Sequence, residues 1–245
     1  MEAFYSKDMY IGVSMCDASG RLGLSNAFAV FQDAASEHAE QLGVGNAVMA
    51  DQGLFWVTTR TRVRFHRRPK LMEQVRISTW PVAPGAGRCD RLYRINAMDG
   101  ELLCEGRTEW CVLDVKSGRP CPPAKVFPAD IEYCGFQQLT EPYARYRHDF
   151  ADGDCAVTRD VRPSDVDLGR HMNNVAYLRL LCDSFSLEEL EREEVQEMEI
   201  WFCMPCFEGD ALDVMRRRTD YGYEFGVKRP DGRYAALARM VSDRQ

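Results

Sequence analysis

An acid and an imidazole four residues apart, Asp167 and His171, stand in the stretch Asp165-Val166-Asp167-Leu168-Gly169-Arg170-His171-Met172-Asn173-Asn174. A carboxylate can draw a proton from water, and an imidazole, whose ordinary pKa lies near neutrality, can hold or return one. The stretch follows a β-branched run, Ala156 to Val161, and precedes an apolar periodic segment that begins at Asn174. This order predicts a strand end that feeds a helix start, where the first N–H groups lack intrahelical partners and attract developing negative charge. Acid, imidazole and such donors together suit acyl transfer or hydrolysis. Asp165 competes with Asp167 for the role of base, because the two share a face if the strand continues. Asn173 and Asn174 read as helix caps, with a substrate-facing role as the alternative for Asn173.

A covalent route would need an activated nucleophile. The ten cysteines are scattered, and Cys203-Met204-Pro205-Cys206 alone has C-x-x-C spacing. No second pair or neighbouring histidine completes a zinc set, so no metal and no cofactor is expected. Cys206 paired with His171 would give an acyl-enzyme, the alternative to direct attack by water. The other cysteines read as reduced, buried small residues of a cytosolic protein.

The elements that must position these groups come from periodicity. Apolar residues at helical spacing from Ser25 to Leu42 predict a long helix stopped by Gly43, preceded by a strand from Met9 to Met15. Strand-like runs follow at Leu54–Phe65, Gln74–Val82, Arg88–Ala97 and Leu102–Asp114, the last two joined at Asp99-Gly100. The order then repeats. A strand over Ala156–Val161 leads to a helix from Asn174 to about Phe185. Strands follow near Val195–Phe202, Ala211–Arg218, Tyr223–Lys228 and Tyr234–Val241. Aligning the helix starts sets Asn26 against Asn174 and Gly23 against His171, so the first copy has no histidine there. The mid-sheet turns Arg68-Pro69 and Met204-Pro205 correspond. The first copy carries extra residues between Gly43 and Gly53, a loop expected to act as a lid. A stretch from 117 to 153, with five of the eleven prolines, reads as a linker. A strand, a helix and four antiparallel strands, given twice, predict α+β architecture with each sheet curled around its helix. The expected domains are 1–116 and 154–245.

The 245 residues carry a net charge of −7, which disfavours nucleic acid as a partner. No run is long enough for a membrane helix, and residues 1–8 lack the features of a signal peptide, so a soluble, cytoplasmic protein is expected. Between Arg60 and Arg94, however, ten lysines and arginines face two acids, Glu73 and Asp90. That window reads either as a dock for something anionic or as the solvated face of a sheet.

These residues and their order resemble a known family. The repeated unit resembles the hot-dog fold, and the tandem pair resembles the acyl–acyl-carrier-protein thioesterases of bacteria and plant plastids, over roughly residues 8 to 242. The likeness rests on the helix Phe31 to Ala39, on Phe55-Trp56-Val57-Thr58-Thr59-Arg60, on Arg68-Pro69 and on Val75 to Pro81. In the second half it rests on Asp165-Val166-Asp167 and on His171-Met172-Asn173-Asn174-Val175-Ala176-Tyr177. The resemblance implies hydrolysis of a fatty-acyl thioester on acyl carrier protein, with a catalytic C-terminal hot-dog and an N-terminal hot-dog that shapes the acyl pocket. It implies catalytic roles for Asp167, His171 and Asn173. Phe28, Phe31, Met49, Leu54 and Trp56 become candidates to line the acyl chain, and Arg64, Arg67, Arg68 and Lys70 candidates to receive the acidic carrier. Two positions depart from the family pattern: Gly169 stands where asparagine is usual, and Pro205 or Cys206 where glutamate is usual. The rival readings are an acyl-CoA thioesterase and a catalytically weak acyl- or carrier-binding module, as a monomer or homodimer.

Overall fold

The computed structural model describes residues 3–147, 149–150 and 153–244. The first two residues, the last, and positions 148, 151 and 152 of the expected linker lie outside the described residues. The chain forms two compact units, Met1–Glu141 and Pro142–Gln245. Residues 117–141 therefore group with the first unit, and the rest of the expected linker with the second.

In the first unit β1 (Tyr5–Tyr10) is followed by a 3-10 turn over Val13–Met15, α1 (Leu24–Gln41) and α2 (Asn46–Asp51). Then come β2 (Leu54–Phe65), β3 (Gln74–Pro81), β4 (Cys89–Ala97), β5 (Leu102–Asp114) and the two-residue β6 (Pro120–Cys121). Hydrogen-bonded neighbours run β1-β3-β4-β5-β2, with β6 on β5, and every pairing is antiparallel. The second unit contains β7 (Asp154–Asp160), a 3-10 turn over Pro163–Asp165, α3 (Asn174–Cys182) and α4 (Leu187–Glu191). Its remaining strands are β8 (Glu193–Phe202), β9 (Ala211–Thr219), β10 (Gly222–Lys228) and β11 (Tyr234–Arg244). Their antiparallel order, β7-β9-β10-β11-β8, is the first unit's order element for element. The fold is α+β, two tandem hot-dogs. No helix among the described residues is long and apolar enough to cross a membrane.

α1 buries Leu24, Ala27, Phe28, Phe31, Ala34, Ala35 and His38 along one stripe, as the i, i+3, i+4, i+7 spacing requires. Phe31 stacks on Tyr93 of β4 with ring centroids 4.8 Å apart. Gly106 of β5 makes room for it, because a Cβ there would sit 2.6 Å from the Phe31 ring. Burial of such a ring contributes about 1.5–3 kcal/mol. The helix ends at Gly43, whose φ of 69° is easy only for glycine. Val44 N–H reaches back to Ala39 O and Gly43 N–H to Glu40 O, a Schellman cap.

Three expectations are corrected. The first strand lies earlier than Met9–Met15: Ile11 N–H leaves the β1 ladder to bond Glu73 O, and Val13–Met15 coils into a 3-10 turn. The 43–53 segment is not a bare loop, since α2 occupies most of it and buries Met49. α3 stops at Cys182, before Phe185. Ser186 and Glu189 form a capping box that starts α4 afresh, which frees Phe185 to pack edge-on against Tyr223 at 4.9 Å.

Candidate active site

The loop between β7 and α3 is pinned at both ends by backbone bonds. Met172 N–H bonds Cys206 O at 2.8 Å and Asn173 N–H bonds Asp165 O at 2.8 Å. Between them Asp167 to His171 closes as a turn, with Arg170 N–H on Asp167 O at 3.0 Å and Asp167 N–H on His171 O at 3.1 Å. Arg170 takes a left-handed φ of 61° to make it. This turn brings the acid and the imidazole to the same side. His171 Nδ1 lies 3.8 Å from Asp167 Oδ1, and both side chains are part-exposed, at 40% and 28%. The gap is too long for a direct hydrogen bond, so the pair is adjacent but not locked. Gly169 N–H holds Asp167 Oδ1 at 2.8 Å and Asn173 Nδ2 stands 3.5 Å from Oδ2.

Gly169 explains its own departure from the family pattern. A Cβ at this position would lie 2.7 Å from His171 Nε2 and 3.1 Å from Asp167 Oδ1. The ring occupies the space that a side chain at 169 would need. Asn173 caps α3 by accepting Val175 N–H on its own Oδ1 at 2.7 Å. Its cap role leaves the Asn174 N–H as the first-turn donor without a protein acceptor among the described residues. Asp165 is not a free base: it is buried, accepts Arg162 N–H at 2.9 Å and pairs with Arg159 at 2.7 Å. Cys206 is fully buried, and desolvation raises its thiol pKa, so it is a poor nucleophile.

The first unit carries the same turn, bond for bond, 150 residues earlier. Gly20 N–H bonds Asp17 O, Asp17 N–H bonds Arg21 O, Gly23 N–H bonds Met15 O, and Leu22 N–H bonds Pro69 O. This register corrects the alignment on helix asparagines: Arg21, not Gly23, is opposite His171, and Arg68 is opposite Pro205. The aspartate is thus present twice, in opposite circumstances. Asp17 is clamped by the Arg68 guanidinium and by the Ser19 hydroxyl at 2.6 Å. Burial pushes its carboxyl up, but those two partners outweigh it and hold the pKa below the ordinary value. In the second unit Ser19 becomes Gly169, Arg68 becomes Pro205 and Arg21 becomes His171. Both side chains that tie up Asp17 are absent around Asp167, where the equivalent backbone N–H is kept and an imidazole is supplied.

The other expected site residues lie in the first unit. A half-open pocket against α1 is bordered by Trp56, Val44, Trp110, Phe127 and Arg91. Phe28, Phe31 and Met49 are buried in the core and Leu54 is half-buried at the start of β2. The cationic window is largely internally neutralised. Arg67 pairs with Glu73 and Glu101, Arg68 with Asp17, and Arg64 approaches Glu105 and Glu141 at 3.6 and 3.5 Å. Lys70 is exposed, forms a backbone bridge with exposed Arg21, and neither side chain forms an ion pair among the described residues, although Lys70 lies near Glu73. Sequence reasoning missed Gly169 as a requirement of the ring and Arg91 as a pocket residue. The first was legible once Asp17-Ala18-Ser19-Gly20-Arg21 is set against Asp167-Leu168-Gly169-Arg170-His171.

Comparison with known proteins places these features. The profile of the acyl-ACP thioesterase N-terminal domain matches residues 2–129, and that of the C-terminal domain matches residues 154–235. A chloroplastic acyl-(acyl-carrier-protein) hydrolase of Cuphea viscosissima is 23% identical over 196 residues, 75% of this chain and 47% of its own. A chloroplastic palmitoyl-acyl carrier protein thioesterase of Gossypium hirsutum is 24% identical, covering 80% of this chain and 50% of its own. The chain thus spans about half the length of these plant relatives. In structure it is similar to an acyl-ACP thioesterase from Bacteroides thetaiotaomicron, with a TM-score of 0.85, 18% identity and 98% of both chains covered. The 12:0-ACP thioesterase from Umbellularia californica gives a TM-score of 0.85 at 17% identity, covering 99% of this chain and 98% of that one.

Proposed function

The chain belongs to the acyl-ACP thioesterase family, and from that premise we propose that it hydrolyses a fatty-acyl thioester on acyl carrier protein, in the cytoplasm, to free fatty acid and carrier thiol. One observation carries the reading. Of two turns with the same backbone, the second has lost the arginine that clamps the first turn's aspartate and has gained a histidine beside it.

In this reading the C-terminal unit is catalytic and the N-terminal unit houses the acyl chain. Asp167 takes a proton from a water that attacks the thioester carbonyl. The oxyanion meets the Asn174 N–H and the His171 ring; the proton taken by Asp167 passes to the His171 imidazole beside it, and as the intermediate collapses the imidazolium gives that proton to the departing thiolate, which restores both groups. Asn173 holds the loop by capping α3 and steadies the carboxylate from 3.5 Å. No covalent intermediate is needed, in keeping with the burial of Cys206. The exposed pair Lys70 and Arg21 offers the acidic carrier a contact that the internally paired Arg64, Arg67 and Arg68 cannot.

The test is release of free thiol from acyl-ACP and from acyl-CoA by the purified protein. Faster turnover of the carrier thioester supports the proposal. Equal use of both would make it a general acyl thioesterase, and no release from either would leave a binding module.

A further inference from the structure

The two copies of the repeat brace the same mid-sheet turn by different means. In each unit two successive N–H groups share one carbonyl of the paired strand: His66 and Arg67 bond Leu103 O, and Cys203 and Met204 bond Ala235 O. Arg67, Arg68 and Pro69 therefore stand opposite Met204, Pro205 and Cys206. The first unit's turn braces itself with charge, since Arg67 pairs with Glu73 and Glu101, and Arg68 with Asp17. The same device in the second unit would clamp Asp167. Cys203-Met204-Pro205-Cys206 carries no charged residue.

Three donors from outside the turn take its carbonyls instead. The Tyr177 hydroxyl of α3 donates to Met204 O at 3.4 Å, Arg229 Nη1 donates to Pro205 O, and Met172 N–H donates to Cys206 O at 2.8 Å. Tyr177 is 2% exposed, and its ring packs edge-on against Phe202 at 5.6 Å. Burial pushes its phenol well above the ordinary pKa, so the hydroxyl stays a donor. Arg229 opens the turn between β10 and β11, where its N–H bonds Arg233 O and its carbonyl accepts Gly232 N–H, both at 2.9 Å. Its ion pair is loose: Asp231 Oδ2 lies 3.7 Å from Nε and is already bonded by Arg233 Nη2 at 2.7 Å. The Pro205 carbonyl, rather than a carboxylate, thus aims this guanidinium. The first unit has neither donor. Ala97 makes the same two backbone bonds, to Glu101 O and from Gly100 N–H, and so stands opposite Arg229. Ala27 follows Gly23 as Tyr177 follows Asn173, and stands opposite Tyr177. Phenol and guanidinium occupy these places in the copy that sets a histidine beside its aspartate.

Met172 follows His171 directly, so the 204–206 turn fixes the peptide that carries the imidazole. A displacement of about 1 Å at such a point can cost a reaction about 10²-fold. We infer that Tyr177 and Arg229 are positioning residues, which hold the 204–206 turn by its carbonyls and through it keep His171 beside Asp167. The inference rests on the reading of Asp167 and His171 as the reacting pair. The experiment measures kcat and KM for thiol release from acyl-ACP by Arg229→Ala, Arg229→Lys, Tyr177→Phe and Asp167→Asn, each verified as folded. Arg229→Ala is expected to lower kcat about tenfold or more with KM within about twofold of wild type, the split left by a displaced reacting group. Arg229→Lys keeps a donor for the carbonyl and should recover most of that loss. Tyr177→Phe deletes one neutral bond and should lower kcat about threefold. Wild-type turnover by Arg229→Ala beside an inactive Asp167→Asn would overturn the inference and leave the reading of the site standing. Wild-type turnover by Asp167→Asn would overturn both. A loss in Arg229→Ala that falls on KM alone, or that Arg229→Lys does not lessen, would also overturn the inference, since the carbonyl bond would then not be what matters.

Discussion

At the scale of single residues, Asp17 and Asp167 occupy the same turn and differ in what surrounds them. Gly169 keeps space for the His171 ring, which a Cβ would meet at 2.7 Å. The ring is part-exposed and can swing away, so Gly169→Ala should fold normally, within about 0.5 kcal/mol of wild type. It should nonetheless lose activity, on the order of 10²-fold, because the imidazole is displaced from Asp167. Steady-state kinetics beside a denaturation curve checks both halves, and unchanged kcat would show that the ring position is irrelevant. Pro205 makes the opposite point. Arg68, its counterpart, clamps Asp17 and also donates to Leu22 O at 3.1 Å. Pro205→Arg should therefore recreate the clamp on Asp167 and lower kcat by about 10²-fold or more, the usual share of a general base. Full activity in a folded Pro205→Arg protein would mean that a cation beside Asp167 does not matter.

At the scale of elements, helices and strands were legible where their signals were local. Leu54–Phe65 and Leu102–Asp114 form strands with those bounds, and Gly43 ends α1 through a cap that demands its positive φ. The 3-10 turns at Val13–Met15 and Pro163–Asp165 were not legible: their own bonds are local, but where each strand gives way to its turn is fixed by a distant strand end, with Ile11 N–H on Glu73 O and Val161 N–H on Asp210 O. The acid–imidazole pair was readable from spacing alone. The clamp on Asp17 was not, since Arg68 is 51 residues away in sequence. Nor was the pairing of the cationic window, whose acids come from Asp17, Glu101, Glu105 and Glu141 outside it or near its edge. α1 also sets a pH dependence through His38. Above pH 6.5 the ring is neutral in both folded and unfolded chains, and its contribution is constant. As pH falls below 6.5 the unfolded chain takes a proton that the folded ring, buried beside the Arg91 guanidinium, refuses down to about pH 3, so stability falls with it. The slope from this one group is at most about 1.4 kcal/mol per pH unit. Unfolding midpoints between pH 7 and 4.5 should decline more steeply for the wild type than for His38→Gln, whereas parallel declines would show that the ring titrates freely in the fold.

At the scale of the whole molecule, one unit has been written twice, and the two copies differ around the same aspartate. The first unit keeps the turn, the aspartate and the helix, but spends the carboxylate on an ion pair and has a half-open pocket against its helix. The second leaves the carboxylate without an arginine clamp. Association with an acidic carrier is expected to depend on Lys70 and Arg21, exposed cations that form no ion pair among the described residues. Lys70→Glu should reduce kcat/KM on acyl-ACP several-fold, with kcat and acyl-CoA turnover little changed, because long-range attraction acts on encounter. An equal loss on both thioesters would argue against a carrier dock at that place. The division of labour between the copies has a sharper test, because the protein supplies its own control. Thiol release from acyl-ACP should be compared for Asp167→Asn and Asp17→Asn, each verified as folded. We predict a fall in kcat of about 10²–10⁴ for Asp167→Asn and near wild-type turnover for Asp17→Asn. Comparable turnover by the two variants would contradict the assignment of the second turn as the reacting one.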